Sequence, residues 1–92
     1  MEVWIFGKKD CALCQTTKNK IEFFLSRKSL PLSIRFFDLD NLEDLAEASY
    51  HGVYKIPTTF IVKGREVLKK WEGKAPASEE LERILEKKIG EN

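Results

Sequence analysis

The sequence has one histidine, one methionine and two cysteines, and no apolar run approaches the ~18 residues that a membrane-spanning helix needs. Each scarcity removes a class of protein. Two cysteines and a single histidine, His51, cannot supply the roughly four ligands of a structural zinc site, so a metal would have to be shared between two chains. Charge of one sign is also missing. Sixteen basic and fifteen acidic residues leave a net charge of +1. That balance argues against nucleic acid as the main partner and against an anionic membrane surface, both of which favour a basic excess. The start, Met1-Glu2-Val3-Trp4-Ile5-Phe6, lacks the basic n-region and the cleavage site of a secretory leader and reads instead as a first strand. A cytoplasmic location is expected, and paired cysteines there are usually catalytic, metal-binding or redox-sensing. Gln15 is the only glutamine and Lys and Glu dominate the charged set, a bias that suits a heat-loving source.

What is present is one domain over residues 1–92, without repeats, linkers or low-complexity tracts. Hydrophobic residues at 42% and charged residues at 34% fit a globular chain. Val3 to Phe6 is a candidate buried strand, and Gly7 to Asp10 reads as a turn. From Cys11 to Ser29 the apolar positions Cys14, Ile21, Phe24 and Leu25 recur at helical spacing, and Leu30-Pro31 is expected to end that helix. Ile34, Phe36 and Phe37 mark a second strand. A second helix can start between Asp38 and Asn41, with Leu42, Leu45, Ala46 and Ser49 as its packing face and Gly52 beyond its end. Thr58–Val62 and Val67–Trp71 read as a hairpin around Lys63-Gly64. After Pro76, Ser78 is expected to cap a last helix with Leu81, Ile84, Leu85 and Ile89 as its stripe. Its acids, Glu79 and Glu80, lie in the first turn and its lysines, Lys87 and Lys88, in the last. The order is β-α-β-α-β-β-α. It predicts an α/β fold with a mixed four-stranded sheet and helices on both faces, the first three strands parallel and the final hairpin antiparallel.

Cys11-Ala12-Leu13-Cys14 follows a strand and a turn and opens a helix. Three residues apart at a helix start, the cysteines face the same way with Cα atoms about 5 Å apart, within reach of a disulfide. Unpaired N–H groups and the positive end of the helix dipole favour the Cys11 thiolate, the attacking species in thiol–disulfide exchange. Lys8 and Lys9 act in the same direction and Asp10 opposes them. Cys14, one turn deeper, is the candidate resolving thiol. Two other readings of the pair stay open: a zinc or iron–sulfur site shared by two chains, and a structural disulfide, which closes too short a loop to gain much chain entropy. His51 reads as a solvated residue at a helix end. Ile56-Pro57-Thr58 stands at the entrance of an apolar strand, and by base rates Pro57 alone reads as trans.

Cys11 and Cys14 at a first helix start, with Ile56-Pro57-Thr58 about 45 residues later at a strand start, resemble the thioredoxin superfamily over nearly the whole chain. The resemblance implies the thioredoxin fold, a cis Pro57 beside Cys11, and backbone groups around it that hold a substrate as an extended strand. Within the superfamily the short chain is similar to glutaredoxins, which commonly carry a lysine where Lys8 stands. Gln15-Thr16-Thr17-Lys18 and Trp71-Glu72-Gly73-Lys74-Ala75-Pro76 resemble the redoxins that serve ribonucleotide reductase. The implied activity is reduction of protein disulfides by a monomer, with catalytic Cys11 and Cys14. Lys8, Ile56, Pro57, Thr58 and Gly73 are the implied substrate-binding residues, and no bound cofactor is implied beyond the redox-active disulfide. That branch draws electrons from thioredoxin reductase. The chain lacks the Gly-Gly and Cys-Pro-Tyr-Cys motifs of glutathione users, and the sequence leaves open both thioredoxin reductase and glutathione as electron donors.

Overall fold

A computed structural model describes residues 1–30 and 32–90, the side chains of residues 88–90 excepted. Pro31, expected to end the first helix, and the side chains of Lys88 and Ile89, expected in the last helix, lie outside that description. The order is β1 (Glu2–Gly7), α1 (Ala12–Lys28), β2 (Ser33–Asp38), α2 (Leu42–Tyr50), β3 (Thr58–Lys63), β4 (Glu66–Glu72) and α3 (Ser78–Gly90). The strands form one sheet in the order β2-β1-β3-β4.

Side-chain alternation along the central strands divides the core in two. Val3 and Ile5 of β1 and Ile61 of β3 point to one face, where Ile21 and Leu25 of α1 and Leu81 and Leu85 of α3 cover them. Phe6, Phe60 and Val62 point to the other face and pack with Phe37, Ala48 and Val53. Because β1 and β3 are covered on both faces, β3 is an unbroken run of β-formers, Thr58-Thr59-Phe60-Ile61-Val62, all buried. Edge strand β4 buries Trp71 and leaves most of its other positions to solvent. A bulge opposite Ile61 and Val62 irregularises its pairing.

Four expectations need correcting. β1 and β2 are parallel, but β3 runs antiparallel to β1, with Phe6 opposite Thr58. The reason is length: the nine residues of α2 carry the chain away from the end of β2, and residues 51–57 bring it back to the same end of the sheet. Gly7 is the last residue of β1, not part of a turn. α2 buries Ala48, not the expected Leu42, Leu45, Ala46 and Ser49; Leu42 is 81% exposed. Only the small Ala48 side chain of the helix is buried against the core. His51 is not simply solvated: it caps α2 and rests edge-on against Trp4, with ring centroids 5.4 Å apart, and against Phe60 at 5.8 Å.

Capping explains the helix boundaries. Asn41 Oδ1 accepts hydrogen bonds from the N–H groups of Glu43 and Asp44 and fixes the start of α2. α1 ends before the proline, because Ser29 takes a left-handed conformation (φ 53°) and donates its N–H to the carbonyls of Leu25 and Ser26. Ser78 is the first helical residue of α3 and not its expected cap; the carbonyl of Ala77 before it accepts the first helical bond, from the Leu81 N–H. Lys28 then links α1 to α3 through Glu82 and Glu86 at 3.6 and 3.9 Å, exposed pairs that contribute little each.

Leu81 is fully buried between α3 and the sheet, so Leu81→Ala should cost about 2–5 kcal/mol in urea unfolding. Leu42→Ala should change stability by less than about 0.5 kcal/mol, contrary to its place on the apolar pattern of α2.

Candidate functional site

The sheet registers bring the candidate residues to one edge. β1 pairs with β2 through Gly7 and Asp38. The antiparallel register that puts Phe6 opposite Thr58 continues to Gly7 opposite Pro57. The register that puts Thr58 opposite Glu72 continues to Pro57 opposite Gly73, and there the Gly73 N–H donates to the Pro57 carbonyl at 2.7 Å. Asp38, Gly7, Pro57 and Gly73 therefore form a row across the same end of four strands. The Ile56–Pro57 peptide bond is cis. Thr58 Oγ1 donates to the Lys55 carbonyl at 2.6 Å and holds the turn that leads into this bond. Gly73 has φ 72°, a left-handed conformation that favours glycine and turns its N–H toward Pro57.

The first turn of α1 lies on this row. Cys11 is the N-cap, in an extended conformation, and forms a disulfide with Cys14 across a Cα separation of 5.2 Å. Its Sγ also accepts the Cys14 N–H at 3.1 Å, so the sulfur sits where the helix presents unpaired donors. No acidic residue occupies the first turn of α1 to offset that positive end. The loop before it is tied down by the Cys11 N–H and the Gln15 side chain, both donating to the Lys8 carbonyl at 3.3 Å. Cys11 is partly exposed, whereas Cys14 is fully buried. One sulfur of the pair can be reached from solvent and its partner is sheltered, the asymmetry that stepwise thiol–disulfide exchange requires.

Lys8 and Lys9 do not converge on the sulfurs in this state. Lys8 Nζ lies 3.7 Å from the exposed Asp40 and Lys9 Nζ 3.9 Å from the half-buried Asp38, so each lysine faces a carboxylate. Lys8 and Ile56 instead share a groove of about 430 Å³ with Leu39, Leu45, Val53 and Tyr54. Tyr54, 88% exposed, adds apolar surface to that groove, and Leu13, 46% exposed, lies between the two cysteines in sequence. Among the described residues no three His, Cys, Asp or Glu side chains gather as a metal site.

The sequence reading missed two residues. A Cβ on Gly7 would lie 2.8 Å from both Cβ and Sγ of Cys14 and 3.3 Å from the Phe36 ring. Glycine at this position is what lets the helix start approach the sheet so closely; its place directly after an apolar run was the available signal. Thr59 is fully buried on the face that α1 covers, and no sequence pattern separates it from an ordinary strand threonine.

A buried–exposed cysteine pair at a helix start, set against a cis-proline on a β2-β1-β3-β4 sheet, defines a thiol–disulfide oxidoreductase of the thioredoxin fold. A family model described as a thioredoxin domain matches residues 1–86, and the chain belongs to that family. No curated protein matches the chain by sequence. Among solved structures, it is similar to thioredoxin 1 from the thermophilic eubacterium Thermosipho africanus, with a TM-score of 0.78 at 18% identity, covering 98% of this chain and 96% of that one. Thioredoxin-2 of the malaria parasite, a component of its protein secretion machinery, gives 0.77 at 22% identity over 94% of this chain and 81% of that one. Oxidized thioredoxin O2 from Arabidopsis thaliana gives 0.73 at 20% identity over 94% and 72%. At these identities the structures share the fold. The first is a thioredoxin of nearly this chain's length, so shortness does not mark the glutaredoxin side, and that subtype rests on the motifs alone.

Gly7→Ala should destabilise the oxidised protein by about 1–3 kcal/mol in urea unfolding, because neither the Cys14 sulfur nor the sheet beneath it can give way.

Proposed function

We propose that the protein is a glutaredoxin-like redoxin that reduces disulfides in protein substrates. The observation that carries this reading is the unequal exposure of a cysteine pair whose outer member caps a helix. In the reduced protein the Cys11 thiolate attacks one sulfur of the substrate disulfide. A mixed disulfide forms, and the other substrate sulfur leaves as a thiolate. Cys14 then gives up its proton and attacks Cys11. The second substrate sulfur departs, and two electrons have passed from the Cys11–Cys14 pair to the substrate. The helix start favours the thiolate form of Cys11, the attacking species.

The substrate segment lies extended along the Pro57 end of the sheet, with Ile56, Thr58 and Gly73 as backbone partners, and sends an apolar side chain into the groove beside Lys8. Lys8, Gln15-Thr16-Thr17-Lys18 and Trp71–Pro76 support the branch that serves ribonucleotide reductase. A thioredoxin reductase or glutathione then restores the dithiol, and the protein works as a monomer in the cytoplasm.

Replacing Cys11 with Ser should abolish turnover in a protein-disulfide reduction assay, and replacing Cys14 with Ser should trap a mixed disulfide visible by mass spectrometry. Full activity of the Cys11 variant would sink the mechanism. Alkylation of the reduced protein against pH should modify Cys11 selectively, with a midpoint below that of free cysteine, while Cys14 stays protected. Stoichiometric metal or a coloured cluster after anaerobic purification would favour the shared-metal reading instead.

A further inference from the structure

Three threonines are fully buried: Thr17, Thr58 and Thr59. Two of them return their hydroxyl protons to nearby carbonyls, Thr17 to Leu13 at 2.8 Å and Thr58 to Lys55 at 2.6 Å. Thr59 does not. Its Oγ1 is the only buried side-chain polar atom without a hydrogen-bond partner among the described residues. Buried hydroxyls are almost always satisfied, so an orphan one calls for a physical explanation.

The register locates the hydroxyl. Thr59 pairs with Ile5 on one side and Trp71 on the other, and so faces α1 and α3 with Ile5. Gly7, two residues beyond Ile5, belongs to the same face and stands opposite Pro57. Thr59 is thus the diagonal neighbour of Gly7, a separation of about 7–8 Å between Cα atoms that side chains can bridge. The Cys14 sulfur presses on Gly7, 2.8 Å from the position its Cβ would occupy. In the disulfide that sulfur has no proton to donate and is only a weak acceptor, and Thr59 Oγ1 makes no bond to it. In the dithiol it is either an S–H donor or a thiolate acceptor, and a threonine hydroxyl can serve both.

We propose that the Thr59 hydroxyl is the hydrogen-bond partner of the Cys14 sulfur in the reduced protein, and that it biases the pair toward the dithiol. The bias has two sources. Oxidation breaks the bond, and it leaves a buried hydroxyl without a partner. The protein is therefore a stronger oxidant, and a weaker reductant, than the same fold with an apolar residue at this position. This inference rests on the reading of Cys11 and Cys14 as a redox pair.

The test is the equilibrium of the full chain with glutathione. In it the Cys11–Cys14 disulfide and two glutathione thiols exchange with the dithiol and glutathione disulfide, two electrons and two protons moving together. Thr59→Val keeps the shape and removes the hydroxyl, and should shift this equilibrium about three- to tenfold toward the protein disulfide, the range one hydrogen bond supports. Thr59→Ser keeps the hydroxyl and should stay within about twofold of the parent, as expected if the hydrogen bond alone sets the bias. An unshifted Thr59→Val, or equal shifts in both variants, overturns the proposal. A parent protein that shows no reversible exchange at all instead overturns the redox function on which it rests.

Discussion

The reactive end depends on one close approach, the first turn of α1 seated on Gly7. A β-carbon there would overlap Cys14, and the helix start could not lie on the sheet. Because it does, Cys14 is sealed from solvent while Cys11, one turn earlier, keeps an exposed edge and the helix's unpaired donors. The same row of the sheet carries the cis Ile56–Pro57 bond and Gly73. One backbone contact thus sets which sulfur is reached, which is protected, and what lies beside them.

The two faces of the sheet play unequal parts. α1 and α3 cover one face thickly with Ile21, Leu25, Leu81 and Leu85, giving the helix start a rigid seat. On the other, a nine-residue helix contributes one fully buried side chain, Ala48. Thin cover leaves the groove between Leu45, Tyr54 and Ile56 open at the same end as the disulfide. A site needs both properties: a firm support for the reacting atoms and an open apolar surface that a partner can fill.

Much of this arrangement was legible in the sequence because it is local. Cys11-Ala12-Leu13-Cys14 at a helix start, the capping residue Asn41, and the hairpin around Gly64 are set by neighbours a few residues away. Leu42 and Leu45 have the right spacing for a core, but they sit on a nine-residue helix that buries Ala48 and leaves both of them exposed. The direction of β3 was misread because residues 51–57 reverse the path of the chain, and no periodicity records where a loop returns. The partnering of Lys8 with Asp40 and Lys9 with Asp38 joins the loop before α1 to the end of β2 and the turn beyond it, which meet only once the sheet has formed.

By itself the sequence determined the elements, their order and the pair of sulfurs, because helix starts, strand propensity and cysteine spacing act over a few residues. Tertiary structure alone decided that Gly7 lies under Cys14, that Pro57 falls between Gly7 and Gly73, and that Thr59 is left with an unpaired hydroxyl on the face beneath α1. Those facts depend on strand register, a one-residue slip of which would turn every side chain to the opposite face. Register is fixed by the whole core closing at once, and so cannot be read from any one segment.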